Sequence, residues 1–262
     1  LCKDTPAFIA NRIGVFSMMS LLHLMEKMDL SVEEVDKYTG PALGRPKSAT
    51  FRTTDIVGLD TMVNVAGGLY RSLPGDKGRE AFQLPGFVRA MVEKKWLGDK
   101  TGQGFYKKVK APDGTSEILA LDLRTLEYRG QQKTRSATLD AAKGVEDLRE
   151  RMKLLLQGKD RCGDFLRTSF YGLFEYVSDR IPEISDELFR IDEAMRAGFG
   201  WELGPFQTWD ALGLAETAEA MQLAGHQPAA WVMEMVKSGK SAFYVTEEGI
   251  KKYYDISTGS YK

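Results

Sequence analysis

Asn11 is the first residue whose type and setting suggest chemistry. It follows Phe8, Ile9 and Ala10 in a segment patterned as a helix, where asparagine is disfavoured because its amide competes for backbone hydrogen bonds. A primary amide both donates and accepts, which suits it to hold a substrate carbonyl. The same amide would serve equally at a domain surface, bonded to a backbone group, and residue type alone leaves both readings open. Other candidates fail on spacing. GFGWELG (198–204) resembles a dinucleotide fingerprint, but three residues separate its second and third glycines where two are required, and it follows a helical pattern instead of a strand. SGKS (238–241) has the ending of a phosphate loop, with Glu234 where the first glycine would stand. His23 and His226 are the only imidazoles, distant in sequence and without Cys or His at ligand spacing, so no metal site is expected. The paired acids Glu33-Glu34 and Glu247-Glu248 point different ways and are expected to be solvated.

The elements that must position these residues come from a chain of 262 residues, enough for one large domain or two ordinary ones. Its 36 basic and 37 acidic side chains nearly cancel, so no summed field draws it to nucleic acid or anionic lipid. The apolar run Ile13–Met25 is broken by Ser17, Ser20 and His23; it is too short for a membrane span and lacks a signal-peptide cleavage site, so it reads as a buried helix. Two cysteines, Cys2 and Cys162, are too few for a secreted scaffold and point to a reducing, cytoplasmic setting.

The chain says nearly the same thing twice. Val35-Asp36 matches Ile191-Asp192, Gly44 matches Gly200, and Phe51 matches Phe206; then Asp55, Gly58 and Leu59 match Asp210, Gly213 and Leu214, the offset shortening by one across the loop. Both copies close alike, on Met91-Val92, Lys100 and Phe105-Tyr106 and on Met235-Val236, Lys240 and Phe243-Tyr244. Helical spacing predicts a first helix from Pro6, capped by Thr5 or Asp4, carrying Phe8, Ile9, Ile13, Phe16, Met19, Leu22 and Met25. Ser31 and Glu34 form a capping box for the second. A third runs from about Thr54 to Leu73, with Ile56, Leu59, Val63, Ala66 and Leu69 on one stripe, and the recurring Gly58 and Gly213 inside it suggest a close helix crossing. A fourth begins at Pro85 and stops at Gly98. Pro112-Asp113-Gly114 between two apolar runs signals a hairpin, and 129–144 reads as a linker. The expected fold is all-α, two tandem helical repeats with a short β-hairpin between them: a first repeat over 1–110, hairpin and linker over 111–144, and a second, degenerate repeat over 145–262.

KDTPAFIANRIG (3–14) resembles the entry into the helical C-terminal domain of L-3-hydroxyacyl-CoA dehydrogenases, and GLD followed by WLGDKTGQGFYKK resembles that domain's end. The likeness is most specific over 2–107, and the doubled domain is similar to the multifunctional fatty-acid β-oxidation enzymes. This family binds NAD on an N-terminal Rossmann domain that holds the catalytic His and Glu, neither of which this chain matches. The resemblance therefore implies an excised C-terminal portion that closes over an acyl-CoA substrate against its own Rossmann domain. It implies that Asn11 orients the reacting oxygen or thioester carbonyl, and that Lys100 reaches the cofactor, unless Lys100 is simply an exposed lysine before a glycine turn. In single-copy relatives this domain forms the dimer interface, so the two repeats are expected to pack as a pseudo-dimer within a monomer. The chain departs from the family where SATF (48–51) replaces Gly-Pro-Phe, kept as GPF (204–206) in the second copy. Arg167 or Thr168 falls where Asn11 would recur, so the second copy cannot repeat its substrate contact.

The alternative is a non-catalytic helical scaffold or dimerisation module sharing the fold, since fold alone does not carry function; a helical module from another Rossmann dehydrogenase family fits the opening motif less well. On the dehydrogenase reading, this chain alone should show no NAD-linked oxidation of a 3-hydroxyacyl-CoA in a spectrophotometric assay, and detectable turnover would refute the missing-base argument.

Overall fold

A computed structural model describes residues 2–110 and 114–262. Its first long helix, α1 (Ala10–Met28), begins later than the sequence predicts. Ala7 and Phe8 take left-handed backbone, φ 63° and 53°, which a right-handed helix cannot continue. The chain therefore turns there, with the Phe8 N–H on the Thr5 carbonyl at 2.9 Å, and neither Thr5 nor Asp4 caps α1. Phe8 is left exposed, whereas Ile9, Ile13, Phe16, Met19, Leu22 and Met25 are buried as their spacing requires.

Helix α2 (Val32–Thr39) opens on the expected capping box: Glu34 N–H donates to Ser31 Oγ at 3.2 Å and Ser31 N–H to Glu34 Oε2 at 2.8 Å. The expected third helix is two, α3 (Phe51–Val57) and α4 (Leu59–Ser72). Gly58 breaks it at φ 101°, as Gly213 does at φ 93°. What crowds Gly58 is the Asp60 and Lys100 side chains, each 2.8 Å from where a Cβ would stand, and not a second helix. The break turns Ile56 out to solvent, off the predicted stripe. Helix α5 (Gly86–Glu93) follows Pro85 and ends before Lys95, whose φ of 57° stops it ahead of Gly98.

Strands β1 (Tyr106–Lys110), β2 (Ser116–Asp122) and β3 (Glu127–Gly130) form an antiparallel sheet in that order, with Tyr106 opposite Ala120 and Leu121 opposite Tyr128. The hairpin is thus a three-stranded sheet; of its predicted turn, Pro112 and Asp113 lie outside the described residues. The sheet packs on the first half through α2: Arg129 pairs with Glu33 at 2.7 Å, and Gln132 N–H donates to the same carboxylate. Glu33 is therefore buried and not solvated, and the arginine beside it holds its carboxyl below the usual range despite that burial.

Helices α6 (Ala137–Ala142) and α7 (Leu148–Gln157) occupy the connection, capped by Ser136 and Asp147. Then come α8 (Arg161–Asp179), α9 (Leu188–Phe199), α10 (Pro205–Leu212), α11 (Leu214–Leu223) and α12 (Ala230–Lys237). A second sheet, β4 (Tyr244–Glu247), β5 (Ile250–Asp255) and β6 (Ser260–Tyr261), was not expected. Its tight turn places Glu248 and Gly249 at φ 52° and 80°, the two positive-φ positions of a two-residue hairpin. The described residues are thus mostly helical, with two small sheets, and not all-α. None of their helices is long and apolar enough to cross a membrane. Cys2 is exposed and Cys162 buried, and both are free.

Buried and half-buried carboxylates staple each half. Asp36 accepts from the N–H groups of Thr50, Phe51 and Arg52 at 3.0, 2.6 and 3.2 Å and from the Tyr106 hydroxyl at 2.9 Å. Asp192 accepts from Phe206 and Gln207 N–H at 2.9 and 3.0 Å and from the Tyr244 hydroxyl at 2.6 Å. Asp55 takes the N–H groups of Phe105 and Tyr106, and Asp210 those of Phe243 and Tyr244. Burial pushes Asp36 and Asp55 up to about 6 and Asp192 and Asp210 up to about 7, against the opposing pull of these hydrogen bonds.

The halves share one hydrophobic core, with α1 lying against both α8 and α9. Across that seam Arg12, wholly buried, donates to Tyr176 Oη and Asp76 Oδ2 at 2.7 Å each and to Glu183 Oε1 at 2.9 Å. Arg180 adds contacts to Asp76 at 3.1 Å and Glu183 at 2.8 Å. Two residues on, Gly14 faces the Phe199 ring so closely that a Cβ would overlap it. Arg12→Met should cost about 3–5 kcal/mol in urea denaturation, because the buried Asp76 loses its principal cation; a loss below about 1 kcal/mol would show that Arg180 suffices. Gly14→Ala should cost about 1–3 kcal/mol by overpacking, and when combined with Phe199→Ala the loss should fall below the sum of the two single losses.

Candidate functional site

At the seam lies an apolar cleft of about 360 Å³. Helix α1 supplies one wall, with Asn11, Gly14, Val15, Met18 and Leu21 along a single face. Helices α3 and α4 supply the opposite wall, including Val57, Gly58, Thr61, Met62 and Val65. The α2–α3 loop and, from the second half, Gly198, Phe199 and Trp201 complete it. The loops meet around matched positions: Gly44 and Gly200 both take φ 64°, Glu202 N–H donates to the Gly44 carbonyl at 2.8 Å, and a Cβ at Gly200 would lie 3.1 Å from Pro46 Cγ.

Asn11 lies in the first turn of α1, at the edge of this cleft, and is exposed. Successive helix residues are rotated by about 100°, so Arg12 points into the core and its neighbour points out. The Asn11 amide makes no hydrogen bond to any described residue. Much of the hydroxyl-bearing lining is by contrast already engaged: Thr39 and Thr50 bond each other at 2.8 Å, Thr54 donates to the Thr50 carbonyl at 2.9 Å and Thr53 to the Ala49 carbonyl at 2.6 Å. Those hydroxyls are therefore not free to bind a ligand without breaking a bond. The arrangement can therefore take a hydrocarbon chain along its walls and a carbonyl at its rim.

Lys100 sits on the short 3-10 turn Asp99–Thr101, half exposed, its ammonium paired with Asp60 and lodged beside Gly58. That pairing holds the Asp60 carboxyl below its ordinary range. Asn11 and Gly58 thus share the cleft, and Lys100 lies on the far side of Gly58. Arg167 caps the Leu156 and Gly158 carbonyls and Thr168 donates to the Asp164 carbonyl, so both serve the second half's own helices. His23 and His226, remote in sequence, line a second groove together; His23 Nε2 is 2.8 Å from the Gln83 carbonyl and His226 Nδ1 is 2.7 Å from Glu175. Among the described residues no three His, Cys, Asp or Glu side chains gather to hold a metal ion.

One cleft residue escaped sequence reasoning. Arg45 stacks on Trp201, its guanidinium carbon 3.9 Å from the ring centroid, with Phe170 at 5.7 Å. Both residues follow a left-handed glycine, Gly44 or Gly200, and an arginine in one copy where the other has tryptophan was the available signal.

Comparison with known proteins agrees with this fold. Residues 8–108 match the family described as 3-hydroxyacyl-CoA dehydrogenase, C-terminal domain. A probable 3-hydroxyacyl-CoA dehydrogenase of Bacillus subtilis (strain 168) is 45% identical over 253 residues, 97% of this chain and 31% of that protein. A probable 3-hydroxyacyl-CoA dehydrogenase of Deinococcus radiodurans is 48% identical over 110 residues, 42% of this chain and 31% of its own length. A putative fatty acid oxidation complex trifunctional enzyme of Rickettsia felis is 27% identical over 207 residues, covering 79% of this chain and 27% of its own. The chain thus spans about a third of the length of the curated relatives it matches. The crystal structure of 3-hydroxybutyryl-CoA dehydrogenase from Escherichia coli K12 is similar in fold, with a TM-score of 0.59 and 19% identity over 91% of this chain and 61% of that one. By these matches, residues 8–108 form a domain of the 3-hydroxyacyl-CoA dehydrogenase C-terminal family.

Proposed function

We propose that this chain is the substrate-closing and assembly portion of an NAD-dependent 3-hydroxyacyl-CoA dehydrogenase of fatty-acid β-oxidation, acting with a nucleotide-binding domain of the kind its longer relatives have room for. The observation that carries this reading is the Asn11 amide, exposed and unbonded at the rim of an apolar cleft. Its NH2 would hold the reacting oxygen or the thioester carbonyl while the acyl chain lies along α1 and α4. Neither imidazole of the chain lines that cleft, so the base that removes the hydroxyl proton would come from outside these residues; such a base is typically worth about 10²–10⁴ in rate. NAD supplies the hydride acceptor when bound. Lys100 fits a role toward it in one respect: among the described residues its half-exposed ammonium is tied only to the half-exposed carboxylate of Asp60.

The two halves are read as tandem repeats packed as a pseudo-dimer, with the second degenerate at the site but retained as a wall. Supporting this are the paired Asp36 and Asp192 staples, the matched Gly44 and Gly200 loops and the shared core. The seam that a single-copy relative would bury between two subunits is buried here within one chain, so a monomer is proposed.

In the full-length parent, Asn11→Ala should lower kcat by about tenfold or more, as expected for losing a preorganised donor. Unchanged kinetics in a stopped-flow assay of NADH formation would reduce Asn11 to a surface residue and favour the scaffold reading.

A further inference from the structure

We propose that Arg45 is a specificity-determining residue that receives a carboxylate carried at the far end of the substrate's acyl chain. The inference rests on the dehydrogenase reading above and names the substrate class for the same cleft. Arg45 is the one charged side chain among those lining the cavity. It is also the one arginine short of full exposure that makes no hydrogen bond or ion pair with any described residue. The others in that class are tethered: Arg12 and Arg180 to Asp76 and Glu183, Arg79 to the Tyr70 carbonyl, Arg129 to Glu33, Arg151 to the Ala42 carbonyl, Arg167 to the Leu156 carbonyl and Arg190 to Glu187 and Glu193. Even Glu202, which packs beside Gly44, makes no ion pair with Arg45.

The Arg45 guanidinium carbon lies 3.9 Å from the Trp201 ring centroid, and no acceptor among the described residues takes its N–H groups. A planar fork held in that way matches a carboxylate in two parallel hydrogen bonds. Partial burial pulls the Arg45 pKa downward, yet a guanidinium keeps its charge at any physiological pH. The charge is therefore half-buried beside Trp201 and Phe170, with its nitrogens still open to an entering anion. Along the cleft the hydroxyls of Thr39, Thr50, Thr53 and Thr54 are bonded internally, so the path to Arg45 suits methylenes. With the thioester at the exposed Asn11, the nucleotide of coenzyme A stays at the rim and its phosphates in water. The group delivered past Phe199 to Trp201 is then the end of the chain.

Two measurements test this. Calorimetric titration of the present chain with octanoate and with octanamide should show octanoate bound at least about tenfold more tightly, the worth of one charge-assisted hydrogen bond. Arg45→Met should abolish that preference, and Arg45→Lys should restore part of it, each variant being checked by its melting temperature. Equal binding of the two probes, or a preference that survives Arg45→Met, would overturn the proposal. Arg45-dependent binding of inorganic phosphate with no preference for octanoate would also overturn it, assigning the residue to a phosphate. In the full-length parent, the ratio of kcat/KM for a carboxylate-terminated over a methyl-terminated 3-hydroxyacyl-CoA of equal length should fall about tenfold in Arg45→Met, through KM. Turnover of neither substrate would sink the dehydrogenase reading, and the titration would still decide the fate of Arg45.

Discussion

One wholly buried cation, Arg12, organises this molecule. Arg12 has no access to water, and an isolated charge in that position would cost many kcal/mol. It is tolerable only because Asp76 from the first half and Tyr176 and Glu183 from the second converge on it. The requirement runs both ways: Asp76 is equally buried and needs Arg12 and Arg180. The seam between the halves is consequently set by directional bonds as well as by apolar burial, which has no directional preference of its own. Once Arg12 points inward, helical geometry sends Asn11 outward, and Gly14 admits the Phe199 ring that closes the cleft.

The aspartate staples do for each half what Arg12 does for the pair. Loops between helices carry backbone N–H groups that no helix satisfies. Asp36 and Asp192 collect those at the start of α3 and α10, and Asp55 and Asp210 collect those where the chain leaves for its sheet. Tyr106 and Tyr244 tie the two staples of each half together, donating a hydroxyl to one carboxylate and a backbone N–H to the other. The loop beside the cleft is therefore rigid at its base, and the position of Arg45 is inherited from it.

The cleft is defined by which polar groups remain unspent. Its threonine hydroxyls are bonded to each other or to nearby groups of the wall itself, which leaves a mainly apolar space. Asn11 and Arg45 are not, and they differ in exposure: the amide stands at the rim, the guanidinium lies under Trp201. That separation permits one site to read two chemically different parts of a single elongated ligand.

Much of this was legible in the residues, and the remainder was not, for a definable reason. The apolar period of α1, the Ser31–Glu34 capping box and the matched Asp36 and Asp192 are local patterns, written within a few turns or a short repeat. The start of α1 was misplaced because left-handed backbone at Ala7 and Phe8 has no glycine to announce it. Glu33 was read as solvated because the arginine that covers it arrives on a strand far downstream. The sequence by itself determined the mainly helical pattern, the matched aspartates and the family likeness of residues 8–108, since each depends on spacing along the chain. Only the tertiary structure decided that Arg12 is buried, that Phe199 and Trp201 from the second half wall the first half's cleft, and that no acidic side chain among the described residues pairs with Arg45. Whether a charge is paired depends on what else folds against it, and spacing along one segment carries no record of that.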